Sequence, residues 1–310
     1  MRVFITGGTG LVGSHLIKKL RDRGDQVVVL TRRPDVAKPT FGDGVTIVDG
    51  DPMVAGAWQD AVADCDAVVN LAGEGLFNQR WSDDFKALIR SSRVRSTENI
   101  VAALGKKTAL DASGSSRRVL VNGSAIGYYG PHGDEELTEA SLAGNDFLAS
   151  VCMDWERAAE PAMKHGVRVV YLRTGIVLEA NGGALAKMLT PFKFFVGGPI
   201  AGGAQYMSWI HIEDEVGLLL FALDHAEITG PLNATAPNPM TNYDFSKALG
   251  SVLGRPSFMP TPGFMLRLAM GEVADILTTG QRVLPKKATA AGYEFQFPEL
   301  GAALVHLLIK

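Results

Sequence analysis

One stretch, Val3-Phe4-Ile5-Thr6-Gly7-Gly8-Thr9-Gly10-Leu11-Val12-Gly13-Ser14-His15-Leu16, constrains the fold more than any other in the chain. An apolar run of strand type passes into Gly7, Gly10 and Gly13, and apolar residues then recur at helical spacing through Leu16 and Leu20 as far as Gly24. The pattern predicts a strand, a tight turn and a helix. Each glycine permits an approach that a side chain would block. Gly7 allows the sharp turn off the strand, Gly10 lets backbone N–H groups reach a diphosphate, and Gly13 lets the helix pack on the strand. The helix N-terminus, with its partial positive charge, then faces the phosphates. Gly7, Thr9, Gly10, Leu11, Val12 and Gly13 are therefore expected dinucleotide contacts.

The next strand, Gln26-Val27-Val28-Val29-Leu30-Thr31, runs into Arg32-Arg33-Pro34. An NAD site places an acid about 20 residues past the glycines to accept the ribose hydroxyls, whereas an NADP site places cations there for the 2′-phosphate. No Asp or Glu ends this strand. Arg32 offers a planar bidentate fork, with Thr31 and Arg33 in support, so the expected cofactor is NADP(H). Farther on, Asp66-Ala67-Val68-Val69-Asn70-Leu71-Ala72-Gly73 reads as a strand closed by small residues, which let a ring or ribose lie across the backbone. Leu71, Ala72 and Gly73 are expected cofactor contacts on that edge.

Strand and helix patterns keep alternating: strands at 45–49, 117–124 and 167–173, helices at 58–63, 81–104 and 149–164. This alternation predicts an α/β chain, a doubly wound parallel sheet of Rossmann type with helices on both faces. Arg93, one turn from Ile89 on the long helix, is placed to point into the cofactor cleft. After Thr174 the texture changes. Gly182-Gly183, Gly197-Gly198-Pro199 and Gly202-Gly203 punctuate a stretch with Phe192, Phe194 and Phe195, which reads as an irregular cover over a pocket. A short strand at Trp209-Ile210-His211 leads into an apolar helix, and 242–253 and 264–277 look helical. The expected division is a nucleotide-binding domain at 1–178, to which 205–228 returns, and a smaller C-terminal α/β substrate lobe from 179–204 and 229–310.

With 30 Lys and Arg against 33 Asp and Glu, the chain offers no overall charge for nucleic acid or an anionic membrane. No targeting segment or membrane-spanning run is visible, which predicts a cytoplasmic protein acting on a small-molecule substrate. Cys65 and Cys152 have no metal-ligand spacing, so no metal is expected, and both read as reduced, packed thiols. The long helices could form a dimer bundle, and a monomer fits equally well.

The residues resemble a known group, the extended short-chain dehydrogenase/reductases, which include the sugar-nucleotide epimerases. The landmarks are the opening glycine loop, Asn70-Leu71-Ala72-Gly73, Ser124-Ala125-Ile126-Gly127-Tyr128-Tyr129-Gly130, Leu172-Arg173-Thr174-Gly175-Ile176 and Ile210-His211-Ile212-Glu213-Asp214. Gly197-Gly198-Pro199-Ile200, Asp154-Trp155-Glu156 and Gly280-Gln281-Arg282-Val283-Leu284-Pro285 are similar to an atypical, epimerase-like branch, and the similarity runs nearly end to end. The resemblance implies NADP(H) binding and adds Arg173 and Ile176 to the cofactor contacts.

Extended enzymes use a Tyr and a Lys four residues apart on the helix after the fifth strand, where the cation lowers the Tyr pKa. Here those positions fall on Leu148 and Cys152. A Tyr-x-x-x-Lys match at Tyr243 and Lys247 lies in the expected substrate lobe and reads as a coincidence of spacing. The remaining candidates for the chemistry are Ser124, Tyr129 or its neighbour Tyr128, and Cys152; His211 reads as a satisfied core histidine. Three functions stay open: an NADP(H)-dependent oxidoreductase on a small carbonyl or alcohol, a non-catalytic NADPH sensor, and a sugar-nucleotide epimerase.

Overall fold

The computed structural model describes residues 1–106 and 118–309; Arg117, expected at the start of the fifth strand, lies outside them. Seven parallel strands form the main sheet: β1 (Arg2–Thr6), β2 (Gln26–Thr31), β3 (Val45–Asp49), β4 (Ala67–Asn70), β5 (Val119–Ala125), β6 (Arg168–Thr174) and β7 (Gly230–Ala234). Their spatial order is β7-β6-β5-β4-β1-β2-β3. The order reverses at β1, whose neighbours are β2 and β4, and a ligand crevice opens at the carboxyl ends of the strands at such a point.

Helices α1 (Leu11–Asp22), α2 (Pro34–Phe41), α3 (Trp58–Ala63), α4 (Asp83–Leu104), α5 (Phe147–Ala159), α6 (Gly183–Lys193), α7 (Ile212–Asp224), α8 (Asn242–Leu253) and α9 (Gly263–Met270) follow along the chain, with a last helix at Leu300–Leu308. The continuous apolar runs of the strands bury both faces. Val3 and Ile5 pack with Leu16 and Leu20 of α1 and Val216 and Leu219 of α7. Phe4, pointing the other way, packs with Trp58, Ile100 and Leu104. A third core holds the C-terminal lobe, with Leu185, Leu189 and Phe192 of α6 against Trp209, Phe245 and Leu304.

Beneath the crevice, buried side chains tie the strand ends together. Thr6 Oγ1 donates to Asn70 Oδ1 at 2.6 Å, and Asn70 Nδ2 donates to Asn122 Oδ1 at 2.7 Å and to Thr97 Oγ1 at 2.9 Å. These bonds link β1, β4, β5 and α4, so the loops that leave those strands start from fixed points.

Several expected elements differ in extent. The helix expected at 149–164 is α5, which starts at Phe147 with Asp146 as its cap, the carboxylate accepting from Ala149 N, and stops at Ala159. A 3₁₀ turn at Glu160–His165 follows, since Pro161 near its start has no N–H to continue the ladder. The glycine-punctuated cover contains α6, whose Leu185, Leu189 and Phe192 keep helical spacing. The helix expected over 264–277 is broken at Gly271, at φ +73°, into α9 and a short helix at Asp275–Thr278. The sheet also takes its edge strand β7 from a segment assigned to the substrate lobe. Pro231 within it is tolerated because an edge strand need not donate on its outer side. Among the described residues no helix is long and apolar enough to cross a membrane.

The glycine loop separates two costs that substitutions can test. A Cβ on Gly13 would sit 2.4 Å from Gly7 O, whereas Gly24, at φ +86°, has nothing within 4 Å. Gly13→Ala should cost ~3 kcal/mol or more because backbone must move, and Gly24→Ala only the left-handed strain of about 1–2 kcal/mol. Urea unfolding of both variants checks the ranking, and equal losses contradict it.

Candidate functional site

The dinucleotide loop has the features of an anion cradle. Gly7 takes φ +69°, and a Cβ there would fall 2.6 Å from Leu71 O, so the strand β4 exit passes directly against the turn. Gly10 caps α1 with no side-chain hydrogen bond, and no acidic residue stands in the first turn of that helix. Its leading N–H groups and positive dipole end are thus left for a ligand. Thr9 and Gly10 are exposed at the turn, while Leu11 reaches the lobe: Cβ atoms on Gly182 or Gly183 would meet its methyl groups at 3.0 Å. Leu71, Ala72 and Gly73 leave β4 beside this loop. At the end of β2, Thr31 Oγ1 accepts from Arg33 N at 3.1 Å, and Arg32 and Arg33 are exposed with no ion pair among the described residues.

A cavity of about 360 Å³ opens at the carboxyl ends of β5 and β6, between the sheet and the lobe. Ser124, Leu148, Cys152, Ile176 and Arg93 line it together with Trp155, Thr174 and Gln281. The two positions that would carry the Tyr and Lys, Leu148 and Cys152, thus do face the site; Leu148 has no proton to transfer, and burial pushes the Cys152 thiol up to about 12, so it holds its proton.

Behind Ser124 runs a buried network. Ser124 Oγ donates to Glu156 Oε1 at 2.7 Å. Arg173 closes on the same carboxylate, Nε to Oε1 at 2.8 Å and Nη2 to Oε2 at 2.9 Å, and its Nη1 donates to the Tyr129 hydroxyl at 3.0 Å. Tyr129 in turn donates to Asn233 Oδ1 at 2.6 Å. Two of the expected roles change as a result. Tyr129 is fully buried and absent from the cavity wall, with burial raising its pKa, so it does not stand as a proton donor to a bound ligand. Arg173, expected at the cofactor, has its guanidinium fork engaged by Glu156 and Tyr129 and its face against the Tyr128 ring at 3.4 Å. The sequence gives Glu156 no role beyond its place in Asp154-Trp155-Glu156. A lone acid in the apolar stripe Cys152, Trp155, Glu156, Ala159 is the signal that finds it, because an acid on the core side of a helix needs a partner.

His211 lies in the core, Nδ1 accepting from Glu213 N at 3.0 Å and Nε2 lying 3.1 Å from His306, and burial lowers its pKa to about 4. Tyr243 and Lys247 sit on α8 at the surface, outside the cavity wall. One further residue adjoins the site. Glu215 of α7 is buried and accepts from Thr174 Oγ1 at 2.8 Å, while its Oε2 has no partner among the described residues. Burial raises its pKa to about 8.

This crevice, with its glycine cradle and its cavity at the strand ends, is the site expected of a nucleotide-binding α/β fold of Rossmann type. The chain matches the NAD dependent epimerase/dehydratase family over residues 3–234, and it belongs to that family. A domain of unknown function matches residues 261–307. An epimerase family protein of Mycobacterium leprae is 40% identical over 303 residues, covering 97% of this chain and 94% of its own. The crystal structure of human epimerase family protein SDR39U1 with NADPH superposes with a TM-score of 0.84 at 35% identity, over 99% of both chains. A nucleoside-diphosphate sugar epimerase from Corynebacterium glutamicum superposes with a TM-score of 0.78 at 34% identity, over 99% of this chain and 58% of its own.

The Glu215 carboxyl gives a pH test. Its pKa of about 8 in the folded chain stands against an ordinary 4.5, so across that window the folded state keeps a proton that the unfolded state has lost. Stability then falls as pH rises from about 4.5 to about 8. Glu215→Gln, neutral at every pH, lacks this slope, and its Tm should gain on the parent's between pH ~5 and pH ~8.5. Parallel Tm profiles contradict the assignment.

Proposed function

We propose that the protein binds NADP(H) and transfers a hydride to or from a small carbonyl or alcohol held in the cavity. The glycine cradle, the uncapped N-terminus of α1 and the cation pair Arg32 and Arg33 beside Thr31 fit a dinucleotide with a 2′-phosphate. The human relative crystallised with NADPH supports the same cofactor. When bound there, NADP(H) supplies or accepts the hydride.

The observation that carries the reading is the bond from Ser124 to Glu156 at the cavity wall. Because Ser124 gives its proton to the carboxylate, its Oγ turns lone pairs toward the cavity and accepts from a hydroxyl placed there. In the oxidising direction Ser124 Oγ accepts the hydrogen bond of the substrate hydroxyl and orients it while the hydride leaves for the nicotinamide and the hydroxyl proton passes to water; in the reducing direction water returns the proton. Arg173 keeps Glu156 ionised and in position throughout, so that the Ser124 lone pairs stay turned to the cavity.

A second reading, a non-catalytic NADPH sensor, is favoured by Leu148 and Cys152 at the places of the Tyr and Lys. Turnover separates them: purified protein with NADPH and a panel of carbonyl compounds should lose dihydronicotinamide absorbance faster than a protein-free control, and Ser124→Ala should slow it about 10²-fold or more. Full activity in Ser124→Ala contradicts the role of Ser124.

The cofactor assignment has its own test. Arg32→Glu should weaken NADPH binding by about 100-fold, since it removes a bidentate cation and adds a like charge, and should leave NADH affinity within a few-fold. Calorimetric titration with both nucleotides measures this, and equal losses remove Arg32 from the 2′-phosphate.

A further inference from the structure

The polar groups of the cavity wall are almost all spent inside the protein. Ser124 donates to Glu156, Thr174 to Glu215, and Ser208 to Gln281 O. Gln281 Nε2 donates to Ile126 O, Gln205 Nε2 to Ile200 O and Leu277 O, and Asn242 Nδ2 lies on Met207 Sδ. Asp146, the one acidic wall residue among those described, caps α5. Around these groups the wall is apolar, with Leu76, Ile126, Leu148, Val151, Met188 and Ile276.

Besides the partly exposed Tyr206 hydroxyl, which makes no hydrogen bond among the described residues, two deeper donors are left over, and they are neighbours. Arg93 of α4 makes one hydrogen bond, Nη1 to Ile89 O at 2.9 Å, and no ion pair among the described residues. Its guanidinium is packed against Gly73, where a Cβ would meet Cζ at 3.1 Å, and lies 5.2 Å over the Trp155 ring. Burial pulls its pKa below the ordinary value even though Glu74 lies near enough to oppose the shift, and no carboxylate is in ion-pair contact with it among the described residues. Trp155 itself is buried in the cavity wall, and its Nε1 has no acceptor among the described residues. A buried N–H without an acceptor costs about 1–3 kcal/mol, and a half-buried guanidinium without an anion adds to that. Two other arginines of the interior show the contrast. Arg173 has Glu156, and Arg168 has the carbonyls of Ala222, Leu223 and Ile228.

We propose that Arg93 and Trp155 form an anion subsite, and that the substrate of this cavity is an organic acid: a compact apolar body carrying a carboxylate that meets these two donors. This rests on the hydride-transfer reading above and names its substrate class. Two donors with no acceptor between them, one of them a cation, favour an anionic acceptor over the carbonyl of an amide or the hydroxyls of a neutral sugar. The diphosphate of a dinucleotide is drawn to the glycine cradle at β1 and its 2′-phosphate to Arg32 after β2, whereas Arg93 lies beyond Gly73 on the β4 side of the cradle.

The test uses binding, with benzoate and cinnamate as probes against benzamide and cinnamamide, titrated calorimetrically into the full-length protein with and without saturating NADPH. The acids should bind the wild-type protein at least about tenfold more tightly than their amides. Arg93→Met should abolish that preference, and Arg93→Lys, which keeps the charge without the fork, should retain part of it. No acid preference in the wild-type protein overturns the subsite without any variant. A preference that survives in Arg93→Met also overturns it. An Arg93→Met protein that loses NADPH affinity about tenfold or more assigns the cation to the nucleotide instead. Wild-type protein that binds no NADPH overturns the hydride-transfer reading, and the acid and amide titrations of the nucleotide-free protein still decide the subsite.

Discussion

The buried ion pair between Glu156 of α5 and Arg173 of β6 is the interaction on which the substrate end of the site depends. Neither charge is stable in the core alone, and removing one partner of such a pair costs about 3–5 kcal/mol. The pair therefore fixes α5 against the sheet. Ser124 and Arg173 are register partners on adjacent strands, so the carboxylate that pairs with the arginine is within reach of the serine hydroxyl as well. The same arginine holds the Tyr129 hydroxyl, and Asn233 of the edge strand completes its bonds. One ion pair thereby withdraws a tyrosine from the site and turns a serine into an acceptor.

The nucleotide end is fixed by a different constraint, the absence of side chains. Gly7 and Gly13 have backbone within 2.6 Å and 2.4 Å of where a Cβ would stand, so strand, turn and helix close to a distance no other residue allows. The Thr6, Asn70 and Asn122 bonds hold the neighbouring strand ends at the same level. Between the two ends the lobe closes the crevice, with Gly182 and Gly183 against Leu11 and with Gln205, Asn242 and Leu277 forming the cavity wall. The division is chemical too. Exposed cations stand by β2, and the cavity over β5 and β6 is largely apolar, with most of its polar groups bonded inside the protein.

The glycine loop was legible in the sequence because it acts through local backbone. The inner strands were legible for a similar reason: a strand buried on both faces reads as an unbroken run such as Val27-Val28-Val29-Leu30. The edge strand β7 was hidden because Gly230-Pro231-Leu232-Asn233-Ala234 has no such run. Helix α6 was masked by the glycines around it, although Leu185, Leu189 and Phe192 keep the helical period. Tyr129 and Arg173 were assigned to the site from motifs, and what withdraws them is a partner 17 to 44 residues away in the chain, which spacing does not reveal. Glu156 and Glu215 were hidden for the converse reason. Each is an acid placed on the buried side of a helix, and only the packing shows what lies opposite.

The central claim is that one phosphorylated nicotinamide nucleotide spans the crevice from the arginine corner to the cavity. A crystal structure of the complex with NADPH tests it most directly. It should place the 2′-phosphate at Arg32, the diphosphate over Gly10 and the dihydronicotinamide ring in the cavity beside Ser124 and Cys152. Density for the nucleotide elsewhere on the chain, or a ring outside that cavity, contradicts it.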